Sequence, residues 1–296
     1  MHDRLGLKRF IFDGRGFSRD TIEAVNHIKR NFDDVEVGVI TDGVSAEPFL
    51  ESLLHLPLDW VDISVDGLEN DHDRQRGCKG AFRKTIRILH DLKDSGHFEK
   101  VNILTCLTTI NVGTVLGMVE FFNDRGFKNF FMTPVSFFEG YRPTPGLRMQ
   151  EEEFVRFLDQ VFKISEHLLD TWIEVDIYEA IYANWLNLRY GFFNESAMRN
   201  DHFEYMEEHG TNEIHVSYYP SSLTGIRELI INSDGNCIPP MVVAMGNIPK
   251  KLVFANVFDP GIMGQGLPQL LSGPAFSFYV SELVKEKRLI QLMARR

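Results

Sequence analysis

Three short apolar runs near the start of the chain each end in an Asp-Gly pair: Asp13-Gly14, Asp42-Gly43 and Asp66-Gly67. Glycine permits a positive φ and lets the backbone approach a ligand closely, while the aspartate supplies a carboxylate for a cation or an N–H donor. A single Asp-Gly pair is ordinary turn chemistry. Three pairs at the same position on successive runs favour a binding site.

The apolar runs alternate with stretches that carry apolar residues every three or four positions, which is typical of amphipathic helices. This alternation predicts an α/β fold with right-handed βαβ crossovers and a parallel sheet. Because the carboxyl ends of parallel strands form the ligand-binding face, we expect Asp13, Thr41, Asp42, Ser64 and Asp66 to meet at one rim. The five predicted strands are Arg9–Phe12, Glu36–Ile40, Trp60–Val65, Val101–Leu107 and Asn129–Met132.

The segment from Val37 to Arg142 resembles the middle of a radical S-adenosylmethionine (SAM) enzyme. It is most similar to the branch that carries a C-terminal SPASM or twitch extension and modifies peptides, proteins or small precursors. The specific part is Ser64-Val65-Asp66-Gly67, followed by His72-Asp73-Arg74-Gln75-Arg76-Gly77 and then by Lys79-Gly80-Ala81-Phe82. The resemblance implies a partial (βα)6 barrel of the TIM type that lacks its first βα unit in this chain, with a degenerate SPASM/twitch-like C-terminal extension.

The resemblance also implies two cofactors, SAM and a 4Fe–4S cluster. In that family the cluster reduces SAM to a 5′-deoxyadenosyl radical, which abstracts hydrogen from a substrate inside the barrel. The turn after the first strand would hold the SAM amino group, Ser64 its ribose or carboxylate, and Arg76 or Arg83 its carboxylate. Thr108 and the Met132–Pro134 backbone would line the amino-acid and adenine ends. The predicted cofactor-binding residues are Asp13, Gly14, Thr41, Ser64, Asp66, Arg76, Thr108 and Thr133.

The chain departs from the family at its cluster motif. Iron–sulfur clusters are held by cysteine thiolates at short spacing, and this family uses Cys-x-x-x-Cys-x-x-Cys. Here Cys78 and Cys106 are 28 positions apart and Cys237 lies 131 further on, so we expect three small buried or semi-buried apolar side chains and no metal ligands. Asp13-Gly14-Arg15-Gly16 replaces the usual Gly-Gly-Glu-Pro, which puts a cation near the expected ammonium.

Pro143, Pro145 and Gly146 interrupt the βα pattern and predict a boundary. Residues 1–145 are expected to form the partial barrel, and residues 146–296 a helical and SPASM/twitch-like region. In the second part we expect a helix from about Ile177 to Tyr190 and a strand at Gly225–Asn232. A last helix is expected near Phe276–Leu292.

The charge and hydropathy of the chain exclude several classes of protein. The net charge is −11 and the sequence pI about 5.4, which argues against nucleic-acid or anionic-membrane partners held by bulk charge. No apolar run approaches the ~18 residues of a membrane span, and the charged start does not resemble a signal peptide. We therefore expect a cytoplasmic protein without a nucleic-acid or membrane partner, and the family resemblance implies a peptide or protein substrate.

Three functional hypotheses remain open from the sequence. The first is a radical-SAM oxidoreductase or maturase that modifies a peptide, with its cluster-binding segment upstream of Met1. The second is a pseudoenzyme on the same scaffold that binds a peptide or protein without catalysis. The third is a metal-dependent barrel enzyme with Asp13, Asp42 and Asp66 as oxygen ligands for Mg²⁺ or Mn²⁺. No catalytic residue is identified.

Overall fold

The structure is a computed structural model, and it describes residues 8–13, 17–98, 100–136, 146–199, 202–220, 230–231, 234, 236–238, 253 and 255–256. The strands of the larger sheet are β1 (Arg9–Asp13), β2 (Glu36–Thr41), β3 (Trp60–Ser64), β4 (Lys100–Leu107), β5 (Asn129–Pro134), β6 (Trp172–Ile177), β7 (Phe203–His209) and β8 (Asn212–Tyr218). The α-helices are α1 (Arg19–Asn31), α2 (Leu50–Leu54), α3 (Glu69–Arg76), α4 (Ala81–Ser95), α5 (Val115–Asn123), α6 (Glu151–Ser165) and α7 (Ala180–Tyr190). A small antiparallel sheet contains β9 (Ile230–Ile231), β10 (Asn236–Ile238) and β11 (Ala255–Asn256).

The large sheet has the order β1-β2-β3-β4-β5-β6-β8-β7. Strands β1 to β6 pair in sequence order, and every pairing among them is parallel. Helices join most of these strands, as right-handed crossovers require. The sheet is mostly parallel and open, because no pairing closes the described strands into a complete barrel. The predicted α/β partial barrel is confirmed.

The two faces of the sheet differ in polarity because side chains alternate along each strand. One face carries buried apolar residues such as Val61, Ile63 and Ile103, all with 0% exposure. In a barrel of this kind the helices cover the apolar outer face, so the other face lines the inside. We call this inner face, which carries Asp62 and Asn102, the polar face.

The helix ends show why these segments are helical. Ser18 caps α1 by accepting a hydrogen bond from the Thr21 backbone N–H. Helix α6 begins with a capping box between Gln150 and Glu153. At the other end, α3 stops at Gly77, whose φ of +62° places it in the left-handed region.

All five predicted strands are present with ends shifted by one or two residues, but three further strands of the large sheet were missed, as were β10 and β11 of the small sheet. Strand β6 lies where no element was expected, and the helix predicted from Ile177 begins only at Ala180. The alternation Trp-Ile-Glu-Val-Asp-Ile is a period-two pattern with its polar members on the polar face. The unassigned segment after residue 194 contains the β7–β8 hairpin, which turns at Gly210.

In the C-terminal region the predicted strand at Gly225–Asn232 corresponds, within the described residues, only to β9. The predicted helix at Phe276–Leu292 lies outside the described residues. The structure separates into two compact units: 1–135, 146–175 and 206–215 form the first, while 136–145, 176–205 and 216–296 form the second. These units follow spatial contacts and not chain order, and the division into domains 1–145 and 146–296 stays a prediction.

None of the described helices is both long enough and apolar enough to cross a bilayer. The cytoplasmic location expected from the sequence stays a prediction.

Candidate functional site

The turn after β3 is held by a buried ion pair. Asp66 is 1% exposed, and its Oδ2 atom lies 2.7 Å from Nε of Arg76 at the end of α3. Its Oδ1 atom accepts a hydrogen bond of 3.0 Å from the backbone N–H of Cys106. The next residue, Gly67, has a φ of +145°, which L side chains rarely adopt. Asp66 and Arg76, both predicted to bind the cofactor, therefore bind each other and fix the turn.

His72 supports the same turn from α3. Its Nδ1 atom lies 3.1 Å from the backbone nitrogen of Asp66 and accepts that N–H, which places the imidazole proton on Nε2. The side chain is fully buried, and Nε2 has no hydrogen-bond partner in the described part of the chain. Burial lowers the pKa of His72, although the Asp66 carboxylate opposes the shift. The imidazole is therefore neutral near pH 7.

A second set of hydrogen bonds ties the ends of β3 and β4 together. The Asn111 side chain donates to the backbone carbonyls of Asp66 and Cys106, each over 2.8 Å. Asn111 also accepts the Thr108 N–H at 2.8 Å, and the Thr108 hydroxyl donates to Gln75 at 2.8 Å. Thr108 is 2% exposed. The described contacts thus place Thr108, a predicted cofactor ligand, inside a structural network.

Asp73 starts the next helix. Its carboxylate accepts the backbone N–H groups of Gly80 at 2.5 Å and Phe82 at 2.9 Å, which are among the orphan donors of the α4 N-terminus. Desolvation raises the pKa of Asp73, but these two donors and the nearby positive charge of Arg83 oppose it, and the net pKa is lowered. Asp73 therefore caps the N-terminus of α4.

The turn after β2 is satisfied internally. Asp42 accepts the Ser45 N–H at 2.8 Å and the Ser45 hydroxyl at 2.7 Å, which is an Asx-type turn. Thr41 is 1% exposed and lies 3.2 Å from the Ser45 hydroxyl. Gly43 has a φ of +77°. Thr41 faces the buried side of the sheet, so its hydroxyl does not reach the polar face.

Three of the predicted residues do lie on the polar face. Paired residues in a parallel sheet point to the same side, and the register places Asp13 beside Ile40 and Cys106 beside Thr133. Ser64 lies on that same face two positions after Asp62, and the side chains of Ser64 and Thr133 make no hydrogen bond within the described part of the chain. Burial raises the pKa of Asp13. Gly14, the remaining predicted residue, and Arg15 lie outside the described residues.

Arg83, the alternative partner for the SAM carboxylate, is committed elsewhere. Its Nε atom lies 2.8 Å from Glu69, and both side chains are exposed. An exposed ion pair on a helix surface does not have the burial expected of a ligand-binding arginine. Of the two arginines, only Arg76 contacts the Ser-x-Asp-Gly turn.

The cysteines do not match a cluster site. Cys78 and Cys106 are exposed, which contradicts the expectation that they are buried or semi-buried, while Cys237 is buried as expected. Although Cys106 has accessible surface, desolvation by the surrounding protein and the nearby Asp66 carboxylate raise its pKa to about 12. Within the described residues no three side chains of histidine, cysteine, aspartate or glutamate are placed to hold a metal ion. The residues present therefore do not fit a 4Fe–4S cluster.

The three-aspartate hypothesis is not supported by the geometry either. Asp42 is occupied by Ser45, and Asp66 by Arg76 and the Cys106 N–H. No metal-ligand group of three is found among the residues that the structure describes. Hard oxygen ligands for Mg²⁺ or Mn²⁺ are therefore not assembled by these turns.

Sequence reasoning missed the polar residues in the middle of the polar face. Asp62 on β3 accepts hydrogen bonds from Trp60 Nε1 at 3.1 Å and from Asn102 Nδ2 at 2.7 Å. The alternation Trp-Val-Asp-Ile-Ser places residues 60, 62 and 64 on one side of β3, so the pattern contained the signal.

Comparison with known proteins agrees with this architecture. Residues 4–122 match the family model of the radical SAM superfamily. No curated protein matches the sequence. Among solved structures, the chain is similar to anSMEcpe with bound AdoMet, at 14% identity and a TM-score of 0.62, with 93% of this chain and 69% of that chain covered.

A second similar structure is SuiB of Streptococcus suis bound to the precursor peptide SuiA, at 11% identity and a TM-score of 0.58, with 95% of this chain and 68% of that chain covered. At such identities the likeness shows a shared fold. Together with the family match, it confirms the resemblance to the radical SAM superfamily.

Proposed function

We propose that this chain forms the SAM-binding and peptide-binding barrel of a radical-SAM-type maturase. The observation that carries the proposal is the Ser-x-Asp-Gly turn. Arg76 and His72 fix the position of Asp66, while Ser64 lies on the polar face with a hydroxyl that bonds to none of the described residues. The turn is thus built to present Ser64 to a ligand. Solved structures of the same fold, anSMEcpe and SuiB, carry AdoMet or a peptide.

In this proposal each rim residue has one task. Ser64 and Thr133 donate hydroxyl hydrogen bonds to SAM from neighbouring parts of the polar face. Asp13, at the end of β1, offers a carboxylate to the SAM ammonium group. Arg76 acts through Asp66 as a positioning residue, because its Nε is engaged by that carboxylate. Thr41 and Thr108 support the turns and do not contact SAM.

A calorimetric titration with SAM tests this assignment. Ser64→Ala removes one hydrogen bond to the ligand, and we expect its Kd to rise about tenfold, which corresponds to ~1.4 kcal/mol. Ser52→Ala changes the same residue type at an exposed position of α2 and should bind SAM like the wild type. No heat of binding in the wild type, or equal affinities in both variants, would contradict the proposal.

A second candidate is a peptide-binding protein without radical chemistry. It is favoured by the positions of the three cysteines, which cannot form a cluster motif. Anaerobic reconstitution with iron and sulfide of the protein expressed from its full reading frame separates the two candidates. Stoichiometric iron together with 5′-deoxyadenosine after reduction with SAM would establish the maturase. SAM or peptide binding without iron would establish the binding protein for this chain.

A further inference from the structure

The polar face carries a row of hydrogen-bonding side chains that the turns do not use. Asp62, Asn102, Asn129 and Trp172 are lateral neighbours on β3, β4, β5 and β6. With adjacent strands about 4.8 Å apart, this row spans roughly 14 Å. We call these four residues the inner row. All of them belong to the first compact unit.

One atom of the inner row is an unsatisfied buried acceptor. Asn102 is 7% exposed, and its Nδ2 donates to Asp62 Oδ1 at 2.7 Å, which fixes the orientation of the amide. Its Oδ1 atom therefore faces away from Asp62, and it has no hydrogen-bond partner among the residues that the structure describes. A buried carboxamide oxygen that lacks a donor destabilises the folded state. This oxygen can accept a hydrogen bond from an N–H or O–H group of a ligand.

The charge around this acceptor is negative. Asp62 is 9% exposed, and burial together with the nearby Asp13 carboxylate raises its pKa, while hydrogen bonds from Asn102 and Trp60 oppose the shift. The positive charge of Arg9 also opposes this shift, but Arg9 lies over the Trp60 ring and is paired at 3.0 Å with Glu36. Glu174 adds a further carboxylate two positions after Trp172, whose indole donates to it at 3.2 Å. A cationic donor would satisfy both the acceptor and the charge.

We propose that the inner row binds the ammonium or guanidinium group of a lysine or arginine side chain in a peptide, with Asn102 Oδ1 as its acceptor and Asp62 as its counter-ion. The partly exposed Asn129 and Trp172 form the approach to the buried end of the row. Trp60 holds Asp62 in place because its indole N–H bonds to Asp62 Oδ2. This inference rests on the proposed function, since it names the chemistry of the peptide.

Fluorine NMR of protein labelled with 5-fluorotryptophan tests the proposal. The chain has only three tryptophans, and Trp60→Phe assigns the resonance that reports on Asp62. The probes are a capped Gly-Gly-Lys-Gly-Gly peptide, its norleucine counterpart, and free n-butylammonium. We expect a saturable shift of the Trp60 resonance with the lysine peptide, and at least tenfold weaker binding of the norleucine peptide.

Variants test the named groups. Asn102→Leu removes the acceptor at similar volume and should abolish the shift. Should Asn102→Leu fail to fold, Asp62→Asn keeps the shape, removes the charge and should weaken the lysine peptide at least tenfold. Asp94→Asn, an equal charge change at an exposed position, should bind the peptide like the wild type.

Other outcomes overturn the proposal. Equal affinity for the norleucine peptide would show that the site does not recognise the positive charge of the side chain. If n-butylammonium binds and the lysine peptide does not, the ligand is a free amine and not a peptide side chain. No shift with any probe would mean that a buried water satisfies Asn102 Oδ1.

Calorimetry with SAM on the same wild-type sample distinguishes failure of the inner-row proposal from failure of the proposed function. Loss of SAM binding with a normal peptide shift counts against the proposed function, and the reverse counts against the inner row.

Discussion

The Nε atom of Arg76 lies 2.7 Å from Oδ2 of Asp66, and the carboxylate is 1% exposed while the arginine side chain is 31% exposed. The pair joins the end of α3 to the turn after β3. It therefore determines where Ser64 lies relative to the rest of the rim. The stability of the turn and the affinity for SAM should both depend on this contact.

Replacement of Arg76 by methionine leaves the buried Asp66 carboxylate with only the Cys106 N–H as a donor. We expect the free energy of unfolding to fall by about 3 kcal/mol, because an unpaired buried charge is costly. Arg83→Met removes an exposed arginine from its pair with Glu69 and should cost no more than ~0.5 kcal/mol. Urea unfolding followed by circular dichroism measures both. Equal losses would show that the Asp66 pair has no special role.

Gly38 makes room for the Trp60 indole on the polar face. An added Cβ would lie 2.0 Å from Cε2 of Trp60, so Gly38→Ala must displace the ring and break its bond to Asp62. We expect a loss of about 1–3 kcal/mol in stability and a shifted tryptophan emission maximum. Gly117→Ala is the control, since nothing lies within 4 Å of the added Cβ in α5. It should raise stability by up to ~1 kcal/mol, and unchanged emission in Gly38→Ala would refute the packing argument.

Cys106 should react slowly with iodoacetamide although it has accessible surface. Because its pKa is raised to about 12, the thiolate fraction at pH 8 is about 10⁻⁴, some three orders of magnitude below that of an ordinary thiol. Exposed Cys78 provides the internal comparison. Peptide mass spectrometry after timed alkylation of the native protein gives both rates. Alkylation of Cys106 as fast as Cys78 would mean that the thiol is not shielded by its surroundings.

His72 should make stability depend on pH. Its pKa is lowered in the folded state by burial, so the unfolded chain binds an extra proton once the pH falls below its ordinary value near 6.5. The free energy of unfolding then falls with decreasing pH by at most ~1.4 kcal/mol per unit, until the folded-state pKa is reached. His72→Gln should remove this component between pH 7.5 and 5.5. The exposed His27→Gln should keep it, and an identical slope in His72→Gln would exclude His72 as the source.

Several parts of the rim could be predicted because local chemistry determines them. The positive φ of Gly43 and Gly67 follows from the Asp-Gly pairs, and the helix cap by Asp73 follows from its place before α4. Which rim residues face a ligand could not be predicted in the same way. Thr108 and Arg76 carry groups that suit SAM, yet the Thr108 hydroxyl bonds to Gln75 and the Arg76 guanidinium to Asp66. The spacing of the motif does not reveal these contacts, because they depend on how α3 packs against the strand ends.

By itself, the sequence determined the parallel α/β architecture and the five strands before residue 135, because period-two apolar runs alternating with helical periodicity allow few other arrangements. It also determined that the three cysteines cannot form the family's cluster motif. Only the tertiary structure decided that Asp62 and Asn102 meet on adjacent strands, since the two lie 40 residues apart. Strand register brings such residues together, and register depends on packing across the whole sheet.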